Sequence, residues 1–122
     1  MRLLRETLAK QEAVLGKNHE YTLVTAGNLA ALLDEQGKPG EALPLERQVL
    51  AGRKALLGDA HPHTLTAAGN LAITLEDLGQ FDEAEALYRK VLAGQKERHG
   101  PNHPDTVQSV WSLAALLFRR GR

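Results

Sequence analysis

The sequence repeats itself with a period of 42 residues, and this constrains its fold more than any other feature. Counting residues 16–57 against residues 58–99 gives 20 identical positions out of 42. The landmarks that keep the step are glycines and histidines: Gly16, Gly58 and Gly100, and His19, His61 and His103. A fixed period of this length is typical of an array in which each unit packs against its neighbours.

Apolar residues within each unit follow the spacing of an α-helix. The pattern Leu23, Ala26, Leu29, Ala30 and Leu33 recurs at Leu65, Ala68, Leu71, Ala72 and Leu75. Prolines stand where a first helical turn tolerates them, and Gly37 and Gly79 stand where helices should end. We therefore predict six helices, near residues 2–15, 21–36, 41–57, 63–78, 82–98 and 105–120, in antiparallel pairs that form an all-α solenoid.

Each repeat is expected to contain a first helix, helix A, and a second, helix B. The chain then reads as one domain, residues 1–122, made of a partial repeat with helix B only (1–15), two full repeats (16–57 and 58–99) and a partial repeat with helix A only (100–122). The unpaired helices at both ends predict a fragment of a longer array, or end-to-end association between copies.

Composition excludes several classes of protein. The 122 residues carry 15 basic and 15 acidic side chains, a formal net charge of zero that does not fit a nucleic-acid binder. There is no cysteine, hence no disulfide and no thiolate nucleophile or zinc ligand. No apolar run approaches the roughly 20 residues that span a bilayer. We expect a soluble, cytoplasmic protein.

Several motifs resemble those of the 42-residue tetratricopeptide repeats of kinesin light chains. They are residues 103–106 (His-Pro-Asp-Thr), 70–72 (Asn-Leu-Ala) and 79–89 (from Gly-Gln-Phe to Tyr-Arg). The resemblance implies a right-handed superhelix, a protein-interaction function and a concave groove lined by the A helices. The first repeat departs from the pattern, because Glu20, Pro39 and Glu46 replace a proline, an aromatic residue and a tyrosine. Its packing is expected to be less secure.

The resemblance assigns one face of each helix A to a peptide-binding groove. The assigned residues are Val24, Gly27, Asn28, Ala31, Asp34, Glu35, Thr66, Gly69, Asn70, Ile73, Glu76, Asp77, Gln108, Trp111, Ser112, Phe118 and Arg119. An amide side chain offers both a donor and an acceptor, so Asn28 and Asn70 could clamp an extended peptide backbone. The acidic pairs would favour a partner with basic residues.

Each of these assignments has a structural alternative. Gly27 and Gly69 could admit a ligand backbone or a neighbouring helix, whereas close helix packing is the better account of glycine on helix B, at Gly52 and Gly94. The asparagines could cap or cross-link helices, and the acidic pairs could be solvated surface. Trp111 could pack between repeats instead of binding a ligand.

No catalytic, cofactor or metal site is predicted. Equivalent histidines of successive repeats should lie two helix spacings apart, roughly 16–20 Å, too far to share one ion. They are expected to hydrogen-bond at the connector before helix A. No phosphate-binding loop or nucleophile motif is present. The sequence thus predicts a peptide-binding interaction module, and the alternative is a self-assembling scaffold that forms homo-oligomers through its terminal helices.

Overall fold

The computed structural model describes residues 2–121, which form six α-helices and, within that range, no strand. The helices are α1 (Arg2–Leu15), α2 (Glu20–Glu35), α3 (Pro39–Leu57), α4 (Pro62–Asp77), α5 (Phe81–His99) and α6 (Pro104–Arg119). Their bounds confirm the predicted ones to within two residues. Helices α2, α4 and α6 are the A helices, and α1, α3 and α5 are the B helices.

Each helix A begins after a histidine that caps it. The Nδ1 atoms of His19, His61 and His103 accept hydrogen bonds from the backbone N–H two residues later, at 3.0, 3.0 and 3.1 Å. These bonds satisfy donors that the first turn of a helix leaves free. The prediction that the repeated histidines hydrogen-bond at the connector is therefore confirmed.

The helices pack in chain order, each against the next, as an α-solenoid does. Leu23, Leu29 and Leu33 of α2 are at most 1% exposed, and Leu71 and Leu75 of α4 at most 2%. The apolar pattern that predicted the helices therefore forms the core between A and B helices, which confirms the all-α solenoid.

Glycine on helix B allows close contact with helix A. A Cβ atom at Gly52 would lie 2.6 Å from Cδ2 of Leu23, and one at Gly94 would lie 2.7 Å from Cδ2 of Leu65. Both distances are far below ordinary van der Waals contact, so a larger residue would require the buried leucine to shift or the helices to separate. The packing account of these two glycines is confirmed.

Candidate functional site: a groove along the A helices

Three clefts lie side by side where neighbouring A helices face each other over a helix B. The first, which we call the acidic cleft, has a volume of about 270 Å³ and is lined by Gly27, Ala30, Ala31, Asp34, Glu35, Glu46, Val49, Ala67, Asn70 and Ile73. The second, of about 400 Å³, shares residues with it and adds Val24, Asn28 and Thr66. The third, of about 260 Å³, lies between α4, α5 and α6. Together they form a groove.

Most of the predicted groove residues line these clefts. The ones that do are Val24, Gly27, Asn28, Ala31, Asp34, Glu35, Thr66, Gly69, Asn70, Ile73, Gln108 and Ser112. The ones that line none of the three are Glu76, Asp77, Trp111, Phe118 and Arg119. Ligand contact by any of them stays a prediction.

The two mid-helix glycines open onto the groove. A Cβ atom at Gly27 or Gly69 would meet nothing within 4 Å beyond its own helix backbone and chain neighbours. Approach of a neighbouring helix therefore does not explain these glycines, unlike Gly52 and Gly94. The surface at both positions is bare backbone, which an incoming main chain could approach closely.

The two groove asparagines have no partner within the described part of the chain. Asn28 and Asn70 are exposed, and neither side chain hydrogen-bonds to any residue in the range 2–121. The capping and interhelical alternatives therefore have no contact to support them. Each carboxamide keeps its donors and its acceptor available to the groove.

One of the predicted acidic residues is already paired inside the chain. Glu76 accepts a hydrogen bond from the Tyr88 hydroxyl at 2.9 Å and pairs with the Arg119 guanidinium at 2.7 Å. The Arg119 guanidinium also lies 5.6 Å from the centre of the Phe81 ring. These contacts join α6 to the second repeat, so Glu76 and Arg119 have a structural use.

The two large aromatic residues of α6 are exposed. Trp111 is 71% exposed and Phe118 is 84% exposed. Trp111 therefore does not pack between the repeats that the structure describes, which was the alternative to a binding role. Both side chains offer apolar surface outside the three clefts.

An unusual set of acids surrounds the floor of the acidic cleft. Glu46 of α3 is only 6% exposed, and it accepts a hydrogen bond from the Thr74 hydroxyl of α4. The same hydroxyl lies 3.4 Å from Oδ2 of Asp34. Burial raises the pKa of Glu46 to about 7; the Thr74 hydrogen bond opposes the rise, and the charges of Asp34 and Asp77 add to it. Burial likewise raises the pKa of Asp34.

Comparison with known proteins agrees with this architecture. A tetratricopeptide repeat family model matches residues 22–63 and 64–105. The chain belongs to the tetratricopeptide repeat family. Such repeats are in general protein-protein interaction modules, and the kinesin-light-chain-like type is a non-catalytic scaffold. A search among curated proteins found no match.

The fold of these tetratricopeptide repeats is similar to that of solved structures named for kinesin light chain repeats. One similar structure contains nearly identical TPR-like repeats from a Podosopora anserina protein named as a kinesin light chain, with a TM-score of 0.89 and 30% sequence identity. A single-substitution variant of the same repeats has a TM-score of 0.88 and 30% identity. The match covers 98% of this chain and 57% of each of those chains. BtubC (BKLC) from P. vanneervenii, 17% identical, shares the fold with a TM-score of 0.87, over 98% of this chain and 48% of that one. The chain thus spans about half the length of these structures.

Sequence reasoning missed the contribution of helix B to the tetratricopeptide groove. Glu46, Val49 and Arg53 of α3 and Tyr88 of α5 line the clefts beside the A helices. The replacement of a repeat tyrosine by Glu46 was visible in the sequence but pointed only to weaker packing. Glu46 stands where the next repeat has Tyr88, and this replacement of an aromatic residue by an acid was the signal that could have located the acidic cleft.

One group of possible metal ligands lies away from the groove. Ligand atoms of His99, His103 and Asp105 all lie within 4.8 Å of one another. His103 already uses Nδ1 to accept the capping hydrogen bond from the Asp105 N–H, so its neutral form carries the proton on Nε2. A metal bound by His103 would displace either the capping hydrogen bond at Nδ1 or the proton at Nε2. Within residues 2–121, no helix is both long enough and apolar enough to cross a membrane.

Proposed function

We propose that this chain holds an extended peptide segment of a partner protein along the concave groove of its A helices. One observation carries the proposal: in both full repeats, a glycine that faces open space is followed by an asparagine without a hydrogen-bond partner in the described residues. These are Gly27 and Asn28 in the first repeat, and Gly69 and Asn70 in the second. A carboxamide has the donor and acceptor of a peptide unit and can bind main chain whatever its sequence. The chain has no cysteine, which fits action in the reducing cytoplasm.

Charge in the acidic cleft supports a partner with basic residues, although Arg53 and His63 line the adjoining cleft. Asp34, Glu35 and Glu46 line the acidic cleft, and none of its lining residues is basic. A cleft lined by one sign of charge attracts ligands of the other sign and raises their association rate. We therefore expect binding to weaken as salt is added, because screening shortens the reach of these charges.

A peptide-display selection tests the function directly. A library of random peptides is selected on the wild-type chain, and one enriched peptide is then measured against Asn28→Ala/Asn70→Ala. The matched control is Asn18→Ala/Asn102→Ala, which removes two asparagines from the connectors outside the groove. We expect the groove pair to lose at least tenfold in affinity, as a few hydrogen bonds would give, and the control pair to bind like wild type. Equal binding by all three proteins would reject the groove as the site.

Exposed apolar residues of α6 favour a second candidate function, a scaffold that associates with itself. Val110, Trp111 and Phe118 are 48, 71 and 84% exposed. Sedimentation velocity over a wide concentration range tests this candidate, with Trp111→Ser/Phe118→Ser as the variant. A mass that rises with concentration in wild type and not in the variant would support self-association, and a constant monomer mass would count against it.

A further inference from the structure

Equivalent positions at the two junctions between A helices differ in charge. At the second junction, Glu76 accepts a hydrogen bond from Tyr88 and pairs with the Arg119 guanidinium at 2.7 Å. The positions 42 residues before these three are all acidic: Asp34, Glu46 and Asp77. A carboxylate, a phenol and a guanidinium at one junction thus correspond to three carboxylates at the other.

The first junction has no cation of its own among the residues that line its cleft. Glu46 is 6% exposed, and its only hydrogen-bond or ion-pair partner within residues 2–121 is the Thr74 hydroxyl. That hydroxyl has one hydrogen, yet it faces carboxylate oxygens of both Glu46 and Asp34. The second Glu46 oxygen has no donor within residues 2–121, and it is not among the fully buried atoms without a partner, so it is open to the cleft and can accept from a ligand.

The first junction has open space beside its buried acid. Tyr88 lies beside Glu76 and donates a hydrogen bond to it, whereas the shorter Glu46 stands at the equivalent position. The resulting acidic cleft measures about 270 Å³. Sites for drug-sized ligands run from roughly 300 to 1,000 Å³, so this cleft suits a single long side chain.

We propose that the acidic cleft binds the guanidinium of an arginine in the groove-bound peptide, with the carboxylates of Glu46 and Asp34 as its acceptors. This inference rests on the proposed function, because the arginine belongs to the peptide that the groove is proposed to bind. A guanidinium offers several donors in a planar fork, which suits two converging carboxylates better than an ammonium does. The Arg119 pair with Glu76 shows the same chemistry within this chain.

The first test does not depend on finding the peptide. Arginine capped as N-acetyl-arginine-N-methylamide is titrated into ¹⁵N-labelled protein, with the isosteric but uncharged capped citrulline as the ligand control. We expect saturable shifts of backbone amides around the acidic cleft with arginine and none with citrulline. Glu46→Gln should weaken arginine binding about tenfold, as loss of one charged acceptor would. Glu41→Gln, an exposed change on the same helix, should leave it unaltered.

Glu46→Tyr gives an independent variant that is expected to fold, since tyrosine occupies the equivalent place in the next repeat. It removes the buried carboxylate and should abolish saturation by capped arginine. Binding should also lower the pKa of Glu46 from its value of about 7, which carboxyl ¹³C shifts can follow. A purely structural role for Glu46 would not produce that ligand-dependent change.

The outcomes separate this inference from the proposed function. A display-selected peptide that depends on Asn28 and Asn70, yet tolerates both Glu46→Gln and replacement of its arginines by citrulline, would overturn the inference and keep the function. Saturation of the cleft by capped arginine without any selected peptide would support the cation site and reject the function. Equal, unsaturable shifts with capped arginine and capped citrulline would overturn the inference outright.

Discussion

Glycine occurs at two kinds of position within these helices. Gly52 and Gly94 lie where a Cβ would strike a buried leucine, at 2.6 and 2.7 Å, whereas Gly27 and Gly69 face open space. A mid-helix glycine costs roughly 1 kcal/mol relative to alanine, whichever way it faces. Helix packing offsets that cost on helix B, and under our proposal a bound peptide backbone is the reason for tolerating it on helix A.

Alanine substitutions should separate the two kinds of glycine. Gly27→Ala and Gly69→Ala should raise the free energy of unfolding by up to about 1 kcal/mol, because they gain helix propensity without a clash. Gly52→Ala gains the same propensity but overpacks Leu23, so we expect it to be less stable than Gly27→Ala by about 1–3 kcal/mol. Urea unfolding of the single variants measures both effects. Equal stabilities of Gly27→Ala and Gly52→Ala would refute the packing account.

Glu46 should make the fold less stable as the solution becomes more alkaline. Its pKa rises from 4.5 to about 7 on folding, so the folded state binds its proton more tightly than the unfolded state does. That contribution is complete below about pH 4.5 and is lost as the pH rises through about 7. Asp34 from α2 and Asp77 from α4 act in the same direction, and no basic residue lines the cleft.

The variant Glu46→Gln isolates this effect. It keeps the shape of the side chain and removes the charge, so at pH 8 it should unfold with a free energy higher than wild type by up to about 3 kcal/mol. The difference in the free energy of unfolding between Glu46→Gln and wild type should disappear as the pH is lowered towards 5. Urea unfolding at a series of pH values measures it, and Glu41→Gln serves as the control. A gap that does not change with pH would contradict the burial of a titrating Glu46.

The helices themselves were predictable from sequence because each carries local signals that agree with one another. The periodic leucines of α2 and α4, and Gly37 and Gly79 at their ends, specify the same boundaries. The hydrogen bonds of the repeated histidines were expected from their place in the connector before each helix A. The acidic cleft was not predictable in this way, because Glu46, Thr74 and Asp34 come together from three helices, and no local pattern encodes that meeting.

The histidine caps should carry measurable stability at the start of each helix A. His61→Ala removes the acceptor for the His63 N–H and should cost about 1 kcal/mol, while His61→Asn should recover most of it. His63→Ala is the matched control, because it removes the His63 ring but keeps the backbone N–H that donates to His61 Nδ1. Thermal unfolding followed by circular dichroism measures the series. Loss of the same stability in His63→Ala as in His61→Ala would show that the ring, and not the cap, matters.

Across the whole molecule, the main contacts run between helices that follow one another, so stability should vary along the array. Helices α2 to α5 have packed neighbours on both sides and α3 and α4 lie at the centre of the array, whereas α1 buries a single residue, Leu8, among those the structure describes. Native-state hydrogen exchange should therefore find the slowest amides in α3 and α4 and the fastest in α1. Uniform protection from α1 to α6 would indicate one cooperative unit and contradict this description.

The central claim is that the concave groove, and not another face, holds the partner. The most direct measurement is the backbone amide footprint of a display-selected peptide on ¹⁵N-labelled protein. The account predicts large shifts around Gly27, Asn28, Gly69 and Asn70, in a band that crosses α2 and α4 along the groove. A footprint confined to the exposed side of the B helices, around Arg47 and Ala51, would contradict it.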